Sequence, residues 1–353
     1  ARQLASALGS ARGAYDVVPG ARAESCASST SGLSIDGLHA VLPADPSPPW
    51  TCGRMLACGF DAICEIPAAR WDVSLQMTLP PPIACRVRHG GFVRGSQCID
   101  STAFGVSPAE ASAMDPQQRL ILESSYSALH ETGLKRGGLI GSLTGVFLGI
   151  AANEFGQLLM DSPAGGSVYG ATGYSLSIAS GRLSYALGLQ GPCGSYDSAC
   201  SSALLALHGG LRAQQGNECT AGVVTGVTLM LLPAVGKSFA IAGMTSVRGR
   251  SHTFDVRADG YSRSEACSAA ALARAEIRAV HLVGSAVRQD GRSASLTAPN
   301  GQAQQGLLSA AHVDADLLAD SFALHEAHGT GTALGDPIEA GSLMVATISK
   351  RTS

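Results

Sequence analysis

The sequence predicts an α/β fold, from two kinds of signal that alternate along the chain. The strand candidates are apolar runs at residues 145–150, 221–227, 277–287 and 321–326. Such runs are typical of strands in a sheet that is buried on both faces. Between them lie helix-start signals, in which a capping residue precedes a proline. This alternation is characteristic of α/β proteins.

Three segments predict where helices begin. Ser107-Pro-Ala-Glu110 and Asp115-Pro-Gln-Gln118 each place a capping side chain before a proline and an acid or amide at the third helical position. The second of these helices is predicted to end near Gly133, because glycine commonly stops a helix. Asp336-Pro-Ile-Glu339 is interpreted as a third capping box, which starts a helix that runs to near the end of the sequence.

The start of the chain differs from the rest. Residues 1–32 are rich in Ala, Ser and Gly without a convincing period, which indicates a linker or a processed N-terminal extension. The first strand candidate begins at Leu33 and contains Asp36. A charged residue inside a strand pattern predicts an irregular start to the fold.

Composition indicates a globular enzyme. The chain has 353 residues, of which 45% are hydrophobic and only 14% are charged, so it can bury a large core. The net charge of −3, without a basic run, argues against a nucleic-acid partner. The most apolar stretch, residues 227–235, is shorter than the ~20 residues of a membrane span, so no span is expected.

The cysteines favour a reducing compartment. The chain contains 10 of them and no C-x-x-C pair, so the spacing of zinc ribbons and redox motifs is absent and no metal site is predicted. A cytoplasmic and an organellar location both fit this composition.

One cysteine lies in a setting suited to a nucleophile. Cys200 stands among small residues where a strand is predicted to give way to an amphipathic helix, whose core face is predicted from Leu204, Leu207 and Leu211. The partial positive charge at a helix N-terminus stabilises a thiolate and lowers its pKa. A single free cysteine is also often a small buried hydrophobe, so Cys200 alone leaves both interpretations open.

A histidine in a glycine- and threonine-rich loop completes the candidate pair. His328 lies in the segment Glu326-Ala-His-Gly-Thr-Gly-Thr332, which is 128 residues after Cys200 and therefore in a different part of the fold. A histidine beside a reactive cysteine predicts acyl-transfer chemistry. Taken alone, His328 fits a structural role equally well.

The two segments resemble the β-ketoacyl synthase (ketosynthase) domains of polyketide and fatty-acid synthases. The nucleophile motif of that family reads D-x-A-C-S-S, and its first histidine motif reads E-A-H-G-T-G-T-x-x-G-D-P. Further stretches similar to family motifs follow in the family's order and extend the resemblance over roughly residues 33 to 346: residues 65–72, 104–119, 177–185, 258–265 and 296–301.

The resemblance implies a thiolase-like fold, a duplicated αβαβα half-domain in layers. Residues 33–270 would form the N-terminal half with Cys200, and residues 271–353 a partial, truncated C-terminal half with His328. Cys200 would accept an acyl group as a thioester. A malonyl-type extender would then lose CO₂ and attack that thioester, and His328 would stabilise the enolate.

Other residues receive roles from the same resemblance. Thr330 and Thr332 would hold the pantetheine arm, and Met114 would reach the acyl pocket of a partner subunit. A structural role stays open for each of these residues. Threonine hydroxyls also form hydrogen bonds to backbone groups of their loop, and a methionine before a helix cap is often part of the hydrophobic core. The paired carboxylates Asp336 and Glu339 are interpreted as helix caps rather than as catalytic groups.

The resemblance also implies partners. The substrate would arrive on the phosphopantetheine of an acyl carrier protein, with no cofactor bound directly, and the enzyme would be a homodimer in contact through residues 104–133 and the strand before Cys200. A degradative thiolase is disfavoured, because the H-G-T-G-T segment belongs to the carrier-dependent branch.

The family continues into a K-S-N-x-G-H segment, which supplies a lysine and a second histidine, and into a G-F-G-G loop. The printed sequence reaches Ser353 before either. Three interpretations therefore stay open: a portion of a full ketosynthase, a condensation-incompetent structural or dimerisation subunit, and a chain completed by a partner chain that covers the truncated half. The acyl substrate and its chain length cannot be read from the sequence.

Overall fold

The computed structural model describes residues 33–44, 54–55, 57–74, 79–151, 153–274 and 280–347. The strands in these residues are β1 (Leu33–Val41), β2 (Ile63–Glu65), β3 (His89–Gly91), β4 (Thr144–Ile150), β5 (Cys193–Tyr196), β6 (Ala221–Thr228), β7 (Ala266–Arg274) and β8 (His281–Leu282). The helices are α1 (Pro81–Arg86), α2 (Ser101–Phe104), α3 (Pro108–Ala113), α4 (Pro116–Glu131), α5 (Arg136–Leu139), α6 (Glu154–Met160), α7 (Gly170–Gly173), α8 (Leu176–Leu187), α9 (Ser202–Gln215), α10 (Pro233–Ile241), α11 (Gly301–Ala315) and α12 (Gly335–Thr347).

The main sheet has six strands in the order β5-β4-β6-β7-β1-β8. Strand β4 pairs in parallel with both β5 and β6, whereas β7 pairs antiparallel with β6 and β1. The strands β2 and β3 form a separate two-stranded sheet. The predicted strands at 145–150 and 221–227 are confirmed as the centre of the main sheet.

Helices cover both faces of this sheet. All seven residues of β4 are buried. Val146, Leu148 and Ile150 pack in one cluster with Leu183 of α8 and with apolar residues of α4. The alternate residue, Phe147, packs on the opposite face with residues of α9. Since neighbouring residues of a strand point to opposite faces, this arrangement is a layered α-β-α unit, and the predicted α/β fold is confirmed.

The first strand contains the expected irregularity. Strand β1 follows β7 in register except for a β-bulge between Ile35 and Gly37, where the pairing skips Asp36. A bulge leaves one extra residue outside the ladder, and so it accommodates a charge within the strand. Gly37 is needed here for a second reason, because a Cβ at this position would lie 2.0 Å from the Ala128 carbonyl oxygen of α4.

The first two predicted helix starts are confirmed. Ser107 accepts a hydrogen bond from the Glu110 N–H at 3.1 Å, and Asp115 accepts one from the Gln117 N–H at 2.8 Å. Helix α4 ends at Glu131, two residues before Gly133, which has a φ of 88°. Among the described helices, none is both long and apolar enough to cross a membrane.

The predicted strand at residues 277–287 is confirmed only in part, and the one at residues 321–326 is wrong. Residues 277–279 lie outside the described residues. Of residues 280–287, only His281–Leu282 forms a strand; from there Ser285 is held instead by Asp314, which accepts its N–H, and by Arg212, which donates to its carbonyl. Residues 321–326 form no strand, and Phe322 stacks against the ring of His312 at 5.0 Å. Apolar runs predict burial, but a strand also needs a neighbour to pair with, and the described sheet offers none there.

Asp115 gives the fold a predictable pH dependence. Its side chain is buried, and burial raises its pKa to about 6 against the opposing hydrogen bonds from Gln117. In the unfolded chain this carboxyl keeps a pKa near 4. Between about pH 4 and about pH 6 the folded protein therefore binds more protons than the unfolded chain, and stability falls as pH rises, by at most about 3 kcal/mol.

Asp115→Asn keeps a capping oxygen but cannot ionise. Urea unfolding of both proteins across this pH range is expected to show the fall in the native chain and a flatter profile in the variant. Equal pH dependence in the two proteins would contradict the assignment to Asp115.

Candidate active site

Cys200 lies at a strained elbow between β5 and α9. A 3₁₀ turn, Ala199–Ser201, directly precedes the helix. Ala199 has a φ of 56°, a left-handed conformation that is uncommon for a residue other than glycine. Asp197 accepts the N–H of Ala199 at 3.0 Å and fixes the turn, as expected for a turn residue. The elbow leaves Cys200 exposed at the start of the helix.

Glycines let this helix approach the sheet. A Cβ on Gly149 of β4 would lie 2.5 Å from the Ala203 nitrogen, and one on Gly226 of β6 would lie 2.8 Å from the Ala203 Cβ. One apolar prediction for α9 is wrong: Leu211 is buried, but Leu204 is 70% exposed. Helical spacing defines a common face, but only packing decides how far along the helix that face is covered.

Cys200 and His328 act on each other across the 128 residues that separate them. The hydrogen-bonding interaction with His328 is the largest cause that lowers the pKa of the Cys200 thiol. Burial opposes the shift, whereas the backbone N–H groups of Cys200 and Ser201 add to it. The same interaction raises the pKa of His328, with further support from the charges of Glu339 and Asp336. The arrangement favours a thiolate beside an imidazolium.

The loop that carries His328 is held by two carboxylates. Glu339 accepts the N–H groups of His328 and Gly329 at 2.6 and 2.8 Å. Asp336 accepts those of Gly331 and Thr332 at 3.0 and 3.3 Å. The predicted third capping box is therefore wrong, because α12 begins at Gly335 and both side chains turn back to the preceding loop. Four anchors of this kind within five residues fix the backbone that positions the imidazole.

A segment that the sequence did not single out forms the other side of the loop. Thr253 donates its hydroxyl to the Gly329 carbonyl at 2.6 Å, and the Phe254 N–H donates to Asp336 at 2.7 Å. Tyr261, which belongs to a family-like motif, lies near the thiol: burial is the main cause that raises its pKa, and Cys200 contributes. No local signal marked Thr253 or Phe254, because their contacts are long-range.

The residues predicted to bind substrate make contacts within the protein itself. The hydroxyls of Thr330 and Thr332 are 3.2 Å apart, and Thr332 accepts the Gly335 N–H at 3.0 Å. Met114 is fully buried in the main core cluster. Their roles toward substrate stay predictions. Within the described ranges, no group of three or more His, Cys, Asp or Glu side chains is placed to hold a metal ion.

Replacement of Glu339 tests whether the anchored loop influences the reactivity of Cys200. Glu339→Gln removes the charge that two N–H groups share, and hydrogen bonds to charged groups contribute about 1.5–3 kcal/mol. We expect the rate of Cys200 alkylation by iodoacetamide at neutral pH to fall about tenfold and the midpoint of its pH profile to rise. The exposed, nearby Glu326 supplies the matched control Glu326→Gln. If both variants reacted like the native chain, the loop anchor would have no influence on the thiol.

Comparison with known sequence families agrees with this geometry. Residues 31–277 match the family model described as beta-ketoacyl synthase, N-terminal domain, and residues 278–353 match the C-terminal domain of the same family. Among curated relatives, polyketide synthase GfsB of Streptomyces halstedii is 41% identical over 88% of this chain. A mycocerosic acid synthase-like polyketide synthase of Mycolicibacterium smegmatis is 37% identical over 88% of the chain.

Solved structures give the same result. The ketosynthase from module 6 of the bacillaene synthase from Bacillus subtilis matches with a TM-score of 0.81 and 31% identity, over 90% of this chain and 55% of the other. The OzmH KS7 ketosynthase domain of Streptomyces albus matches with a TM-score of 0.81 and 30% identity, over 90% and 57%. The chain spans only 15% and 6% of the two curated relatives. The fold is therefore thiolase-like, and the chain belongs to the β-ketoacyl synthase family.

Proposed function

We propose that this chain carries the ketosynthase activity of a polyketide synthase, in which it takes an acyl group onto Cys200 and extends it by decarboxylative condensation. The observation that carries the proposal is the exposed Cys200 on the elbow that begins α9, where the interaction with His328 lowers the pKa of the thiol. The purely structural or dimerisation role is not favoured, since the matching relatives are polyketide synthases.

In the first stage, the Cys200 thiolate attacks the carbonyl carbon of an acyl thioester. A C–S bond to Cys200 forms, and the C–S bond to the incoming carrier breaks. His328, as imidazolium, donates its proton to the departing thiolate, which leaves as the free thiol of the carrier. The backbone N–H groups of Cys200 and Ser201, which help to lower the pKa of the thiol, are the proposed donors for negative charge that develops beside the sulfur.

In the second stage, a malonyl-type extender loses CO₂ and leaves an enolate. The enolate carbon attacks the acyl-Cys200 carbonyl, so a C–C bond forms and the Cys200 thiolate is released. His328 donates a hydrogen bond to the enolate oxygen, and the anchors from Glu339 and Asp336 hold it in place. An imidazole whose backbone is fixed in advance needs little reorganisation during the reaction.

In this proposal the substrate is bound covalently to a carrier protein and is not free in solution. Acyl and malonyl groups would be presented on the phosphopantetheine arm of an acyl carrier protein, with no further cofactor bound by the chain. The proposed contacts of the arm are Thr330 and Thr332, which lie two and four residues after His328. Met114 would act through a second subunit.

The test separates the two stages. The chain is incubated with carrier-bound acyl and malonyl groups, and acylation of the Cys200 peptide and release of CO₂ are measured independently by mass spectrometry. Iodoacetamide mapping adds the relative reactivity of the cysteines, and Cys200 is expected to react faster than the exposed Cys64 and the buried Cys219, whose pKa is raised by burial. Acylation at other cysteines but not at Cys200 would contradict the proposal.

A homodimer is the proposed assembly. In the described sheet, β5 is an outer strand, and it leads directly to Cys200. An open strand edge favours pairing with another strand, and two-fold dimers are the commonest oligomers. Tyr185 and Leu204 are exposed apolar side chains on α8 and α9, the two helices that pack against β5, and residues 104–133 would complete the contact. Light scattering at low micromolar concentration is expected to give the dimer mass; monomer alone would contradict this arrangement.

A further inference from the structure

The chain segment that precedes β7 packs along the loop that carries His328. The Thr253 hydroxyl donates a hydrogen bond to the Gly329 carbonyl at 2.6 Å. The Gly260 N–H donates to the Gly331 carbonyl at 2.9 Å. These two bonds engage carbonyl groups of the loop, whereas the carboxylates of α12 engage its N–H groups. The loop is therefore held from two sides, by parts of the chain that are far apart in sequence.

Two glycines of the loop allow this close approach. A Cβ on Gly329 would lie 2.6 Å from the Thr253 Cγ2, and one on Gly331 would lie 3.0 Å from the His252 nitrogen. A side chain at either position would push the loop and the segment apart. Thr253 thus packs directly against the glycine that follows His328 in the chain.

Phe254, the next residue of the segment, has a strained backbone. Its φ is 55°, which is a genuine outlier for a bulky side chain. Strain of this kind persists only where the surrounding structure holds it, and it is concentrated at functional sites. The Phe254 N–H donates at 2.7 Å to Asp336, the buried carboxylate that also accepts the Gly331 N–H. The strained residue is therefore connected to the same loop as Thr253.

Thr253 and Glu339 engage both polar backbone groups of Gly329. Glu339 accepts the Gly329 N–H at 2.8 Å, and Thr253 donates to the carbonyl of the same residue. We infer that Thr253 is a positioning residue, whose hydroxyl fixes the backbone after His328 and thereby holds the imidazole toward Cys200. The importance of this position for turnover rests on the function proposed above.

Variants of Thr253 test the inference through the pH profile of Cys200 alkylation by iodoacetamide. Thr253→Val keeps the branched shape but loses the hydroxyl, and Thr253→Ser keeps the hydroxyl but loses the methyl group. The net contribution of a neutral hydrogen bond sets the scale, so Thr253→Val should react about two- to tenfold more slowly near neutral pH. Its midpoint should move upward, and the difference should vanish well above the midpoint, where the thiol is ionised in both proteins. Thr253→Ser should keep the native profile.

The exposed Thr102 of α2 supplies the matched control Thr102→Val, which should also keep the native profile. A purely structural role for Thr253 would lower the melting temperature of Thr253→Val without a change in the midpoint, and that result would overturn the inference. A shift in Thr253→Ser as large as in Thr253→Val would overturn it as well. If Thr253→Val does not fold, Thr253→Ala removes the same hydroxyl and replaces it in the comparison.

Acyl loading of the native chain distinguishes this inference from the proposed function. A native chain that takes up no acyl group would contradict the proposed function, whereas the alkylation profiles would still decide the role of Thr253. A native chain that loads acyl groups, together with identical alkylation profiles for the native chain and Thr253→Val, would overturn the inference about Thr253 alone.

Discussion

Replacing Cys200 by serine is expected to reduce acyl loading of the chain by about 10³-fold or more. Serine keeps the shape of the elbow but presents a hydroxyl whose pKa lies far above that of a thiol paired with His328. Loss of the attacking group from a catalytic unit commonly removes almost all of its rate acceleration. The measurement is the rate at which intact mass increases by one acyl group when the chain is mixed with an acyl thioester.

The matched control for this experiment is Cys64→Ser. Cys64 is also an exposed free cysteine, but it lies on β2, in a separate sheet. We expect this variant to load acyl groups at the native rate. If Cys64→Ser and Cys200→Ser lost loading to the same degree, acylation would not be specific to the elbow and the proposed nucleophile would be wrong.

Removing the imidazole of His328 is expected to have the second largest effect. In His328→Ala the main cause of the lowered Cys200 pKa is gone, and only the backbone N–H groups of Cys200 and Ser201 still support the thiolate. The midpoint of Cys200 alkylation against pH should therefore move upward. Each unit of this shift reduces the thiolate fraction near neutral pH about tenfold.

The loss of Cys200 reactivity in His328→Ala should depend on pH. A thiol whose pKa is lowered by a partner regains a higher pKa when that partner is removed, so the loss of reactivity should be large near neutral pH and small well above the new midpoint. His325→Ala, three residues earlier, removes a ring that packs near Phe322 at 5.7 Å and serves as the control. A profile for His328→Ala that coincides with the native profile would show that the imidazole does not govern the thiol.

The candidate site was predictable where local chemistry decides structure. Cys200 at a helix start follows from the small residues around it and the apolar spacing after it. The family resemblance then pairs it with His328. The positive φ of Ala199 was not predictable, because no glycine marks it. The close approach of Ala203 to Gly149 and Gly226 was not predictable either, because it joins residues of separate elements.

The carboxylates of α12 show why sequence patterns can mislead. Asp336 and Glu339 have the spacing of a capping box, and that pattern alone favours bonds to the helix's own N–H groups. In the fold, the loop that carries His328 returns over the helix start and offers N–H groups to the same side chains. The path of the loop determines which N–H groups the two carboxylates bind. Long-range contacts such as the one from Thr253 set that path.

The fold class, the starts of α3 and α4, the family and the candidate pair Cys200 and His328 could all be predicted from the sequence, because caps, prolines and motif residues act over a few positions. Which apolar runs become strands, and how the His328 loop is anchored, could not be predicted and depend on the packed structure. These features join residues as far apart as Thr253 and Gly329. Pairing, burial and hydrogen-bond competition over such separations are properties of the packed chain, and no local pattern contains them.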